Sequence, residues 1–277
     1  MGDRLERIPL PGRRGRLDLE IVTHCWRYDH LLAYQLSSLV QHPPRAASVR
    51  MTVYHSSDDE PTAELLAFFG AIELDGVAWD WRSLPTERLF RRAIGRNEAA
   101  RATKADWIWF TDCDVIFGER CLDTLAERLQ GRDDRLVFPH VEQITPLLAP
   151  DDPMLSRAGE GNRLVSADMT RFRPHPLRVA KGPMQITHGD VARALGYCDA
   201  IPIYQKPAAR WQKAWEDRAF RWLLGTDGEP VEVPGVYRIR HAAKGRYGNR
   251  VVAAIRGGIR RATSRARDVV ASRRRSR

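Results

Sequence analysis

Apolar positions along the chain switch repeatedly between two spacings, and the switching predicts a layered α/β fold. Residues 19–23, Leu-Glu-Ile-Val-Thr, form a short apolar run of strand character. Residues 28–41 then carry Leu31, Leu32, Leu36 and Leu39 at helical spacing, and Pro43-Pro44 closes the segment. The same logic predicts a strand at 49–55, a helix at 61–69, a strand within 71–81 and a helix at 89–103. Residues 107–111 read as a buried strand, 122–129 as a helix and 136–141 as a strand. Helices follow at 189–195 and 208–224, and a late strand at 231–239. This β-α order implies a mostly parallel sheet flanked by helices. Residues 143–183 are rich in Pro, Gly and charge and lack any period, as a long functional loop would.

Composition changes the picture mainly at the ends. No apolar run reaches the 18 residues a membrane helix needs. Residues 1–18 are basic and rich in Pro and Gly, a flexible lead-in without the apolar core of a secretion signal. The net charge of +10 sits in residues 246–277, which hold eleven Arg and one Asp. Residues 19–245 are therefore close to neutral. In the tail, Val251, Val252, Ile255, Ile259, Ala262, Ala266, Val269 and Val270 fall on one helical face, interrupted at Gly257-Gly258. A basic amphipathic helix of this kind suits an anionic membrane surface, with nucleic acid as the other polyanion it could meet. Cys25, Cys113, Cys121 and Cys198 show no paired spacing and read as buried thiols of a cytoplasmic protein.

The candidate chemistry starts at the end of the central strand, in Phe110-Thr111-Asp112-Cys113-Asp114. In extended chain, residues two apart point the same way, so Asp112 and Asp114 share one side and Cys113 takes the other. Two carboxylates facing one crevice call for a cation between them. A divalent metal carrying a diphosphate satisfies both. Other polar residues leave the same ends of strands: Thr23 and His24 after the first, Asp58 and Asp59 after the second. Arg96 and Asn97, on the helix entering the central strand, suit a diphosphate or its sugar through charge-assisted bonds. Downstream lie Glu216-Asp217, Arg240 and His241, with His140 and His188 as further histidines.

This ordered set, from Arg92-Ala-Ile-Gly-Arg-Asn-Glu-Ala-Ala-Arg-Ala through Asp112-Cys-Asp to Glu216-Asp217 and His241, resembles the family 2 glycosyltransferases of the GT-A fold. The resemblance covers residues 19–245. It implies a GT-A, Rossmann-like, mostly parallel sheet, with the basic tail as an addition. It implies a nucleotide-sugar-dependent transferase holding Mn²⁺ or Mg²⁺, with Asp114 as direct ligand, His241 as a further one and Asp112 nearer the ribose or donor sugar. Thr23 and Asp58 would hold base and ribose, Asp58 ahead of Asp59 because it leaves the strand first. Gln185 and Tyr197 fall in the segment that lines the sugars. Asp217 would be the general base that takes the acceptor's proton, and one base opposite a leaving diphosphate gives inversion. The expected partners are a nucleotide-sugar donor and a glycan or lipid-linked glycan acceptor, met in the cytoplasm at the inner membrane face. A transferase acting on modified nucleic acid and a non-catalytic polyanion-binding relative are the alternatives. A nucleotidyltransferase would need a Gly-rich loop where Thr23-His24-Cys25-Trp26-Arg27 stands.

Overall fold

The computed structural model describes residues 5–156, 164–211 and 215–241, so the tail and its expected helix lie outside the described residues. Seven strands form the main sheet: β1 (Leu17–His24), β2 (Ala47–His55), β3 (Val77–Ser83), β4 (Trp107–Phe110), β6 (Leu136–Pro139), β9 (Gln185–His188) and β10 (Glu229–Val231). Their order is β10-β6-β9-β4-β1-β2-β3. All neighbours run parallel except β9, which is antiparallel to both β4 and β6. A second sheet, ordered β5-β11-β7-β8, joins β5 (Val115–Phe117), β11 (Val236–Arg238), β7 (Val141–Ile144) and β8 (Arg173–Pro176). β1 is buried along almost its whole length, because it lies inside the sheet with helices over it. The polar Glu20 in that strand is accommodated by the Thr52 hydroxyl, which donates at 2.7 Å.

The helices are α1 (Asp29–Gln41), α2 (Glu60–Gly70), α3 (Thr86–Leu89), α4 (Arg92–Ala102), α5 (Cys121–Leu129), α6 (Pro153–Ser156), α7 (Gly189–Leu195) and α8 (Glu216–Leu224). The helix expected at 89–103 is broken: Arg91 takes extended angles (φ −109°, ψ 86°), and α4 starts afresh at Arg92. The strand expected at 136–141 also divides. The His140 N–H makes the last bond of the β6–β10 ladder, to the Val231 carbonyl at 2.8 Å, and from Val141 the chain pairs with β8 in the other sheet. The late strand divides at Pro234-Gly235, where Gly235 takes φ +80°. The helix expected at 208–224 begins only at Glu216, with Trp215 non-helical before it. Trp215 stands half exposed.

The lead-in is pinned from Leu5 onward. Leu5 is buried, Arg13 pairs with Asp106 at 3.0 Å, and Gly15 exchanges hydrogen bonds with the Gln130 amide at 2.8 and 2.9 Å. The segment 143–183 contributes β8 and the end of β7, so part of the expected loop is sheet. All four cysteines are buried free thiols.

Candidate active site at the switch point of the sheet

Chain order reverses between β1 and β4: from β1 the chain proceeds outward through β2 and β3, then crosses back to β4. Ligands of open α/β sheets bind at such a point, outside the carboxyl ends of the strands. Thr23 and His24 end β1, and Thr111 and Asp112 follow β4, held by the Thr111 N–H to the Val22 carbonyl at 2.9 Å. Thr23 and His24 are buried beneath the crevice. Neither the Thr23 hydroxyl nor either His24 ring nitrogen has a hydrogen-bond partner among the described residues. The His24 ring stacks on Tyr54 at 5.0 Å. Burial, then the charges of Arg96 and Arg92, holds its pKa well below that of an ordinary histidine, so the imidazole is neutral.

Asp58 and Asp59 part company. Asp59 is buried and accepts from the Arg27 N–H at 2.6 Å and the Thr62 hydroxyl at 2.7 Å, a structural role. Asp58 is exposed at the end of β2 and is steadied by the Thr86 hydroxyl at 3.0 Å. That leaves Asp58 the one open to a ligand.

Asp112 receives two guanidinium groups from α4. Arg92 pairs with its Oδ1, and Arg96 Nη2 lies 3.3 Å from the same oxygen. Arg92 and Arg96 are four apart and share a helix face, and that face is aimed at the crevice. Arg96 is only 1% exposed. It also donates to the Thr111 carbonyl at 3.0 Å and to the Tyr197 hydroxyl at 2.9 Å. The Tyr197 hydroxyl in turn donates to Gln185 Oε1 at 2.8 Å, and Gln185 Nε2 reaches the Asp217 carbonyl at 3.1 Å. Arg96, Tyr197 and Gln185 thus form a buried bridge from the end of β4 to the first turn of α8. Gln185 is fully buried, with both ends of its amide engaged.

At the far end of the bridge, Glu216 is buried and its charge supports that of Arg92. Asp217 is about a quarter exposed, and its carboxylate accepts the Gly182 N–H at 3.2 Å. Asp114 lies beside β11, whose extension bonds to it through the Ile239 N–H at 2.9 Å. His241 follows two residues later, buried edge-on against Tyr28 at 5.2 Å. Among the described residues, no three of His, Cys, Asp and Glu gather around one point as a complete metal cage would require. Asp112 and Asp114 are hard oxygen donors of the sort that hold Mg²⁺ or Mn²⁺ when phosphate and water fill the rest of the shell.

The sequence profile described as Glycosyl transferase family 2 matches residues 57–195, just over half of the 277 residues, and spans α4, Asp112 and Asp114. The chain belongs to glycosyl transferase family 2. No curated protein matches it. Among solved structures, this family 2 chain is similar to the mannosyltransferase PcManGT from Pyrobaculum calidifontis in complex with GDP-Man and Mn²⁺, with a TM-score of 0.49 and 16% identity over 88% of this chain and 64% of that one. It is also similar to S. aureus TarS 1-349 in complex with UDP-GlcNAc, with a TM-score of 0.49 and 13% identity over 84% of this chain and 61% of that one. A second structure of S. aureus TarS 1-349 gives a TM-score of 0.43 and 13% identity over 81% and 58%. The chain spans less than two thirds of the length of these proteins.

Sequence reasoning singled out Arg96 and overlooked Arg92, although their i, i+4 spacing puts both on one face of a family 2 helix. His140 is exposed and paired with Glu232 at 2.7 Å. His188 is buried beside Trp107 at the opposite end of β4, where its ring accepts the Asp190 N–H at 3.2 Å. His188 thus lies at the far end of β4 from the crevice, and His140 follows β6, two strands away from β4.

Proposed function

We propose that this family 2 member is a metal-dependent, inverting glycosyltransferase that moves a sugar from a nucleotide-sugar donor to a glycan or lipid-linked glycan. One observation carries the reading. The bridge of Arg96, Tyr197 and Gln185 joins the carboxylate expected at the donor diphosphate, Asp112, to the backbone of the expected base, Asp217. Donor and acceptor ends of a displacement reaction must be held at a fixed separation, and a buried chain of hydrogen bonds supplies that.

In this reading Asp58, exposed past the end of β2, receives base and ribose, and Thr23, buried at the end of β1, lies beneath them. Asp112 is turned toward the donor by Arg92 and Arg96. Asp114, with His241, would hold Mn²⁺ or Mg²⁺. That ion would neutralise charge on the departing diphosphate. Asp217 accepts the proton of the attacking hydroxyl at its carboxylate, with the Gly182 N–H fixing its orientation. Gln185 and Arg96 act by positioning, since both are buried. The basic tail, outside the described residues, would hold the enzyme against an anionic membrane face in the cytoplasm.

Thermal stability of the purified full chain against UDP, GDP, CDP and TDP, each with and without Mn²⁺, tests the reading. A nucleotide at a hundred times its Kd stabilises by about 2.7 kcal/mol. The expected result is a shift for one nucleotide that needs the metal and is lost in Asp114→Ala. A folded protein that shifts with none of them counts against a transferase.

A further inference from the structure

The second sheet carries a group of cations that the proposed donor chemistry leaves unused. Its centre is Glu142 on β7, a fully buried carboxylate. Arg238 on β11 donates to both its oxygens at 2.7 and 2.8 Å. Lys181 Nζ lies 3.7 Å away, and His175 on β8 lies 4.0 Å from the same carboxylate and 3.3 Å from Lys181. One carboxylate thus organises two permanent cations and an imidazole, and Arg240 adds its charge to Lys181 and His175. Lys181 and His175 each keep about two fifths of their side chain exposed, so a ligand can reach the pair from solvent. The group adjoins the expected base, because Lys181 precedes Gly182, whose N–H holds the Asp217 carboxylate. Its other flank meets the metal end, because Arg238 lies in the field of Asp114 and Asp112.

We propose that Lys181, His175 and Arg238 form an anion-binding subsite for a phosphate carried by the acceptor, so that the hydroxyl beside that phosphate is presented to Asp217. The inference rests on the transferase reading above and adds the acceptor's chemical class. The charge pattern supports it. Burial, and then the charges of Arg238 and Arg240, hold Lys181 below an ordinary lysine despite the pull of Glu142. His175 is likewise depressed, by burial first and by Lys181 next. Arg238 takes both oxygens of Glu142 and Lys181 stands 3.7 Å from the same carboxylate, so two cations share one anion and a second anion would pair with Lys181. The Gly182–Asp217 flank puts the group beside the expected base and across the sheet from the base and ribose side at β1 and β2, and competition with the nucleotide separates an acceptor phosphate from the donor diphosphate.

The test uses glycerol 3-phosphate as probe, titrated into the full chain by calorimetry, with and without the nucleoside diphosphate and Mn²⁺ that stabilise it. Circular dichroism and the unfolding midpoint check that the variants fold. The expected result is saturable binding that survives saturation with nucleotide. It should weaken about tenfold or more, near 1.4 kcal/mol, in the double variant K181A/H175A and recover in K181R. Displacement of the probe by the nucleotide would assign the cations to the donor diphosphate and overturn the proposal. Unchanged affinity in the double variant, or no saturable binding beside intact nucleotide binding, would overturn it while leaving the transferase reading in place. Probe binding without any nucleotide binding would remove the transferase reading and the acceptor assignment with it.

Discussion

Asp217 can be separated from its surroundings by one atom. Asp217→Asn keeps the shape of the side chain but cannot take a proton at ordinary pH. Turnover should fall by about 10²–10⁴, the usual worth of a general base, with the nucleotide-induced thermal shift unchanged. A parallel loss of nucleotide affinity would show that the residue binds rather than takes the proton. Arg96 tests the bridge. Arg96→Met removes its bonds to Tyr197 and the Thr111 carbonyl from a buried position, and urea unfolding should show a loss of about 2–4 kcal/mol. His24 links the crevice to pH. Its folded pKa lies well below its unfolded value near 6.5, so the unfolded chain takes up the proton first. This contribution to stability is fully present above about pH 6.5 and is lost as pH falls below it, by at most about 1.4 kcal/mol per pH unit. His24→Gln should flatten that part of the stability–pH curve, measured by chemical denaturation at several pH values.

At the scale of elements, α4 approaches β1 so closely that a side chain at Gly95 would run into the His24 ring and lie 3.0 Å from Tyr54. Gly95→Ala should destabilise by about 1–3 kcal/mol through overpacking, and the nucleotide-induced shift should shrink with it because His24 underlies the crevice. Periodicity located most helices and strands of the main sheet, because burial on one face or on both leaves a spacing that survives in the chain. The Asp112 and Asp114 pair stood out in the sequence, but not its geometry: β4 ends at Phe110, and the two residues leave it through a turn closed by the Val115 N–H to the Asp112 carbonyl at 3.2 Å, not along extended strand. The roles of Gln185 and Tyr197 were not legible. Whether a polar residue near a crevice faces the ligand or the core depends on the strand it pairs with, and β9 finds β4 only through the tertiary fold. The breaks at Arg91 and His140 leave no mark in the apolar spacing, and the Pro234-Gly235 turn, with Gly235 at φ +80°, was legible in the chain but was read through as one strand.

For the whole molecule, the lead-in stands opposite the crevice, bound to Asp106 just before β4 and to Gln130 just after α5. Removing residues 1–15 exposes Leu5's site and breaks these bonds, at a cost of about 2–4 kcal/mol. At about 2–4 °C per kcal/mol for a chain of this size, Tm should fall by roughly 5–15 °C. Donor affinity should be unchanged, which calorimetry on the truncated protein can check. The placement of β9 has a further consequence, in time rather than space. Phe110 pairs with Gln185 and Trp107 with His188, so one side of β4 has no strand to pair with until the chain has been made past residue 188. At usual ribosomal speeds that interval lasts roughly 4–15 s. Throughout it, a strand bearing Trp107, Ile108, Trp109 and Phe110 offers an open edge to any neighbouring nascent chain. Yield in a foreign host should therefore depend on how densely ribosomes load the message, and on chaperones that cover that edge, more than on the stability of the finished enzyme.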